Sequence, residues 1–139
     1  MSIDHIAEAV RETGTRAELL RDAARKALIT RLLERLGVDV ASHASWDRDT
    51  APRGRLRPDG WELISKYVGA KQCVLFEDRA REIWRFRDGS DLLQILDNCP
   101  PMEFYICDEE ASYLLCSNHH DYLIGWGAAS SWVDQLDET

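Results

Sequence analysis

The segment that most limits the fold lies between Glu103 and Trp126, where three apolar runs of strand length are separated by Asp108-Glu109-Glu110-Ala111 and Asn118-His119-His120-Asp121. Runs of this kind bounded by Asn and Asp read as strands, and connections this short permit only antiparallel pairing. A three-stranded meander is therefore expected. Setting Asp108 against Ala111 and Ser117 against Tyr122 points Phe104, Ile106, Tyr113, Leu115, Tyr122, Ile124 and Trp126 to one face, with Tyr113 opposite Trp126 as an aromatic pair. The other face then carries Glu103, Tyr105, Cys107, Ser112, Leu114, Cys116, Leu123 and Gly125, a more mixed set expected to be half covered.

Upstream, Cys73 to Glu77 and Glu82 to Arg87 read as two further strands joined by the charged turn Asp78 to Arg81, giving a sheet of about five strands. Helical spacing of apolar residues predicts a short helix over 2–12, interrupted at Gly14. Thr15 and Glu18 have capping-box spacing, which predicts that a long helix begins there and runs to Gly37. Shorter helices are expected from Trp61 to Val68, from Asp91 to about Asn98 with Ser90 as N-cap, and from about Ala128 to Leu136, burying Trp132 and Leu136. This order reads as α+β: N-terminal helices packed on a mostly antiparallel sheet, with a C-terminal helix. With 139 residues the chain is expected to form a single domain spanning 1–139. Its helical part covers about 1–70 and its sheet part about 71–139. Between about 38 and 60 the periodicity stops, prolines and glycines enter, and Arg53, Arg55 and Arg57 cluster, so this reads as a long loop, either functional or a tolerated insertion.

Hydrophobic residues make up 45% of the chain and charged residues 30%, a balance that supports a packed core and excludes a disordered chain. No apolar run reaches the length of a membrane span, and the first residues lack the pattern of a signal peptide, so a cytoplasmic protein is expected. Cys73, Cys99, Cys107 and Cys116 show no metal-type pairing and read as reduced, structural thiols. The net charge of −8 is unevenly distributed: residues 88–139 hold 11 acidic side chains and no Lys or Arg. A strongly negative field is expected at the two turns, which disfavours nucleic acid and anionic membrane and favours a basic partner.

Asn118, His119, His120 and Asp121 have the vocabulary of a metal or acid–base site. Adjacent residues on a strand point to opposite faces, however, and a third histidine is absent nearby, so the expectation is no metal, with Asn118 and Asp121 shaping the turn. Asp108, Glu109 and Glu110 offer carboxylates for glycosidic acid–base chemistry, but clustered acids at an exposed turn are ordinarily solvated. Gly125 and Gly127 precede a helix start that offers N–H groups to an anion, although glycine there also relieves crowding beside Trp126. Cysteine nucleophilicity lacks an identifiable base.

The runs Glu103-Phe104-Tyr105, Tyr113-Leu114-Leu115-Cys116 and Asn118-His119-His120-Asp121-Tyr122-Leu123-Ile124-Gly125 resemble a small bacterial family of unknown function, whose similar lines end in a short helix bearing a Trp, as Trp132 does here. The resemblance spans about residues 74–136 and implies a domain without implying a reaction. In size, element order and acidity the chain is also similar in type to immunity proteins that neutralise bacterial toxins. The expected function is thus an acidic protein-binding module, an immunity-type inhibitor of a basic toxin or nuclease domain, needing no cofactor. Asp108, Glu109, Glu110, Asn118, His119, His120 and Asp121 would supply charge and hydrogen bonds, with Tyr105 or Tyr122 as an exposed aromatic anchor. The alternative is a small-ligand or metal-binding enzyme using His119, His120 and Asp121, for which a pocket beside those residues is the discriminating feature. A homodimer through an uncovered sheet face or the long N-terminal helix is a third possibility.

Overall fold

A computed structural model of the chain describes residues 4–48 and 50–138. The elements are α1 (His5–Thr13), β1 (Ala17–Leu19), α2 (Asp22–Leu36), β2 (Arg55–Leu56), α3 (Gly60–Val68), β3 (Cys73–Phe76), β4 (Ile83–Phe86), α4 (Gly89–Asp97), β5 (Phe104–Cys107), β6 (Tyr113–Ser117), β7 (Tyr122–Gly127) and α5 (Ser130–Asp134). The fold is α+β, with helices packed on an antiparallel sheet and a helix at the C-terminal end. Among the described residues the sheet has seven strands in the order β1-β4-β3-β5-β6-β7-β2. The two strands beyond the expected five, β1 and β2, are three and two residues long and sit at the two edges, too short for any alternation to show in the sequence. Short edge strands also leave little free backbone for pairing with another chain.

Both faces of the sheet are buried. Ile6 and Ala9 of α1, Ile64 and Val68 of α3, Leu92, Ile95 and Leu96 of α4, and Val133 of α5 pack on Leu75, Phe104, Ile106, Leu115 and Leu123. On the opposite face Leu28 and Leu32 of α2, with Val38 and Val40 from the segment after it, pack on Val74, Phe76, Tyr105, Cys107, Leu114, Cys116, Ile124 and Trp126. The expectation of one half-covered face is therefore corrected. Burial on both sides is why β3, β5 and β6 read as continuous apolar runs rather than alternating ones.

The register of the last hairpin also differs from the expectation. Ser117 pairs with Leu123 and Tyr113 with Gly127, so Trp126 lies opposite Leu114 and not opposite Tyr113. One residue of shift exchanges the faces of β7, placing Ile124 and Trp126 with Tyr105 and Leu114 while Leu123 joins Phe104 and Ile106. Between β5 and β6 the shift is two residues, with Cys107 opposite Leu114, so side-chain faces are preserved there.

The Thr15–Glu18 capping box does not form. Ala17 to Leu19 instead pairs with Phe86 to Trp84, and the cross-strand ladder outcompetes the local helix signal. The Thr15 hydroxyl lies 2.7 Å from that of Thr13, Glu18 accepts from Arg85, and α2 starts only at Asp22 without a side-chain cap. Gly37 does end α2 in the left-handed conformation, at φ 72°. Helix α4 is capped by Asp88 rather than Ser90, the Asp88 carboxylate accepting from the Asp91 N–H at 2.9 Å. Helix α5 is shorter than expected and buries Val133, leaving Trp132 half-buried against Tyr67.

Helix α1 is tied to the end of β4 by two carboxyl groups. Asp4 caps α1 by accepting from the Ala7 N–H at 3.0 Å. A hydrogen bond to Asp4, followed by partial burial and the Asp4 charge, pushes Glu82 up to about 7. Burial acts upward on Asp4, but the Glu82 hydrogen bond and the N–H groups of Ala7 and Ile6 outweigh it and hold Asp4 below its usual value. A carboxyl raised in the folded state stabilises fully below its unfolded value near 4.5 and loses that contribution as pH rises through about 7. The thermal midpoint of the wild type, relative to Glu82→Gln, is therefore expected to fall between pH 4.5 and 8. Parallel pH profiles for the two proteins would contradict the shared proton.

Candidate functional site

A meander sends consecutive turns to opposite ends of its strands, so the two acidic turns face away from each other. The expectation that both contribute to one contact surface is corrected by this geometry. Each has its own electrostatic setting.

At one end, the Asp108–Ala111 turn closes through the Ala111 N–H, which donates to the Asp108 carbonyl at 3.2 Å, and through the Ser112 N–H, which donates to the Asp108 carboxylate at 2.8 Å. Arg31 and Arg35, one turn apart on α2, donate to the carbonyls of Glu109 and Glu110, and Arg85 of β4 pairs with the Glu109 carboxylate. Arginines from the first 87 residues thus compensate acids from the last 52, and the expected strongly negative field at this tip is tempered. The same happens at the C-terminal tail, where Arg55 donates to the Asp134 carbonyl and Arg57 to that of Asp137, both at 2.8 Å. That gives Arg55 and Arg57 of the 38–60 segment a structural task with partners 79 and 80 residues away in the chain.

At the other end, Asn118 organises the turn. Its N–H donates to the Tyr122 carbonyl at 3.0 Å, and its own carbonyl accepts from the Asp121 N–H at 3.0 Å. Its side-chain oxygen accepts from the N–H groups of His120 at 2.9 Å and Tyr122 at 3.0 Å. Asp121 takes φ 64°, in the left-handed region that Asp tolerates better than most residues. This is the three-residue hairpin loop with a left-handed last position, one residue shorter than the four-residue loop expected, and it sets the register of β7.

Because His119 and His120 sit in this turn rather than on a strand, they lie on the same side. Their rings are 3.9 Å apart between centroids, and both meet the edge of Trp46, at 5.7 and 5.9 Å. Glu103 at the start of β5 accepts from the His119 N–H at 3.2 Å and lies 2.9 Å from His119 Nδ1. Trp46, which reaches the turn from the aperiodic 38–60 segment, carries no local signature of this role. Among the described residues no group of three or more His, Cys, Asp or Glu is placed to hold a metal ion.

Next to this turn is a cleft of about 520 Å³. Trp61 of α3, Phe104 of β5 and the Pro100-Pro101-Met102 segment form its apolar walls. Ser117, Asn118, His119 and Asp121 border it from the hairpin, and Asp97 from the end of α4. Among the described residues no Lys or Arg lines it. Of the two candidate aromatic anchors, Tyr105 is corrected: it is 0% exposed and stacks on Phe76 at 5.4 Å, so it presents nothing to a partner. Tyr122 is 39% exposed and remains on the surface.

Cysteine chemistry is disfavoured here. The four thiols are free. Burial pushes Cys73 up to about 12 and Cys99, which borders the cleft, up to about 11, and it also holds Cys107 and Cys116 well above the ordinary thiol value. Gly125 serves the approach of α5, since a Cβ there would lie 2.7 Å from the Val133 side chain and 2.9 Å from the Ala129 carbonyl.

Asn118→Ala removes the acceptor of two N–H groups at a nearly buried position and is expected to destabilise the protein by about 1–3 kcal/mol in urea unfolding. Asn118→Asp keeps the acceptor and is expected to retain most of that stability. Equal stability of the alanine variant and the wild type would remove Asn118 from its organising role. No protein-family model, curated protein or solved structure matches the chain, so any function must be argued from these residues.

Proposed function

We propose that this chain is an acidic protein-binding module, an immunity-type inhibitor of a basic partner such as a toxin or nuclease domain. The reading that fits the charge distribution best places the contact at the Asn118–Asp121 end of the sheet. The observation that carries it is the contrast between the two ends: arginines hold the Asp108–Glu110 turn, whereas the cleft beside Asn118 and Asp121 is bordered by carboxylates with no Lys or Arg. Exposed His120 in this turn and exposed Tyr122 at the start of β7 offer a hydrogen-bonding group and an aromatic ring to a partner. Asp108, Glu109 and Glu110 then act at long range, adding to the field that guides a basic protein rather than touching it. No helix among the described residues is long and apolar enough to cross a membrane, and a cytoplasmic location is part of the proposal.

A second reading, a small-ligand enzyme using His119, His120 and Asp121, is favoured by the cleft itself and by the Glu103–His119 contact. With Nδ1 held by Glu103, the His119 ring would meet a ligand through Nε2, as a carboxylate-oriented imidazole does in general acid–base catalysis.

The test is to pass the secreted and neighbouring gene products of the same cell over the immobilised protein at low salt, then follow association of any retained protein as ionic strength rises. The inhibitor reading predicts a basic protein whose association rate falls about tenfold or more between roughly 20 and 300 mM salt. A retained protein whose rate is independent of salt, or retention of no basic protein at all, would overturn it.

A further inference from the structure

Resting on that binding-module reading, we infer that the cleft between Trp61, Met102 and Asp121 is a receptor site for a basic side chain, arginine above all, on a protein segment of the partner. Three observations converge on this occupant. At about 520 Å³ the cleft lies within the roughly 300–1,000 Å³ range of sites that enclose small organic groups, room for one long side chain and part of its neighbour. Its walls are apolar and aromatic, with Trp61, Met102 and Phe104 available to the aliphatic stem. Its polar border is supplied by Asp97 and Asp121, the one at the end of α4 and the other in the hairpin turn, together with Asn118 and His119.

Charge decides among occupants. An acidic or phosphorylated segment would meet two carboxylates with no Lys or Arg on the walls to offset them. A neutral apolar side chain would fill the walls but gain nothing from the two exposed carboxylates. Arginine satisfies both features, because its methylene stem packs on apolar surface while the guanidinium donates to carboxylates and stacks on an indole face. The site is also held by packed elements: the Asp121 backbone by its N–H donating to the Asn118 carbonyl, Phe104 within the sheet, and Trp61 in the first turn of α3. Such preformed geometry lowers the ordering cost of binding.

The experiment is an amide and indole NMR titration with Nα-acetyl-arginine amide, with Nα-acetyl-citrulline amide as the neutral isostere. Saturable shifts are expected at the Trp61 indole N–H and the Asn118 and Asp121 amides with arginine amide. Affinity should be at least tenfold weaker for citrulline amide, and the difference should vanish in D97N/D121N. Asparagine tolerates the left-handed conformation at position 121, and if the double variant does not fold, D97N alone and a salt titration of the wild type give the same reading. Equal shifts with the two amides, or none at these residues, would overturn the assignment. A basic partner that binds D97N/D121N as well as it binds the wild type would likewise overturn it while leaving the inhibitor reading intact. Arginine-amide binding without any basic protein partner would do the reverse.

Discussion

The structure depends on burying both faces of one antiparallel sheet. A sheet with one dry face needs a single layer of helices; here α1, α3, α4 and α5 cover one side, while α2 with Val38, Val40, Trp46 and Ala51 covers the other. Each fully buried Leu, Ile or Phe contributes on the order of 1.5–3 kcal/mol. The central strands carry such residues at consecutive positions, as in Cys73-Val74-Leu75-Phe76 and Phe104-Tyr105-Ile106-Cys107. This arrangement fixes where polar chemistry can occur. It is excluded from the middle of the sheet and confined to the strand ends, where the turns, helix termini and the aperiodic segment meet.

The same double burial explains what could and could not be read from the sequence. The three strands of the meander, the β3–β4 hairpin, helix α3 and the end of α2 at Gly37 follow from apolar run lengths and glycine positions, which survive any tertiary context. The phase of the last hairpin does not follow, because residues 113–117 and 122–126 are apolar on both faces and a one-residue slip costs the pattern nothing. The deciding information lies in the turn, where Asp121 adopts the left-handed conformation and Asn118 gathers two N–H groups. Strand β1 was hidden for a different reason: Thr15 and Glu18 have the spacing of a helix cap, and only the distant β4 strand converts them to an edge. Of the candidate site, Asn118 as turn-former was legible, whereas the approach of Trp46 and the Pro100–Met102 wall were not, since both reach the turn from distant parts of the chain.

Charge followed a similar course. Along the chain, basic and acidic residues are segregated; in space, Arg31, Arg35 and Arg85 reach the Asp108–Glu110 turn and Arg55 and Arg57 reach the C-terminal tail. Sequence segregation therefore became pairing in the fold, and many of these contacts are to backbone carbonyls, so they hold loop geometry as well as balancing charge. The carboxylates bordering the cleft stand apart from that arrangement, and the proposed function rests on this difference.

The placement of His119, His120, Asp121 and the cleft all hang on the β6–β7 register. The Asn118 N–H donating to the Tyr122 carbonyl marks a hydrogen-bonded position, so alternation makes Ser117/Leu123 and Leu115/Gly125 the closely approaching pairs, with Cα atoms about 4.5 Å apart. Cross-strand Hα–Hα nuclear Overhauser contacts in the labelled protein read this directly. Contacts between Ser117 and Leu123 and between Leu115 and Gly125 are expected. Contacts between Ser117 and Tyr122 or between Leu115 and Ile124 would instead establish the register one residue away, turn Trp126 to the other face and dissolve the site.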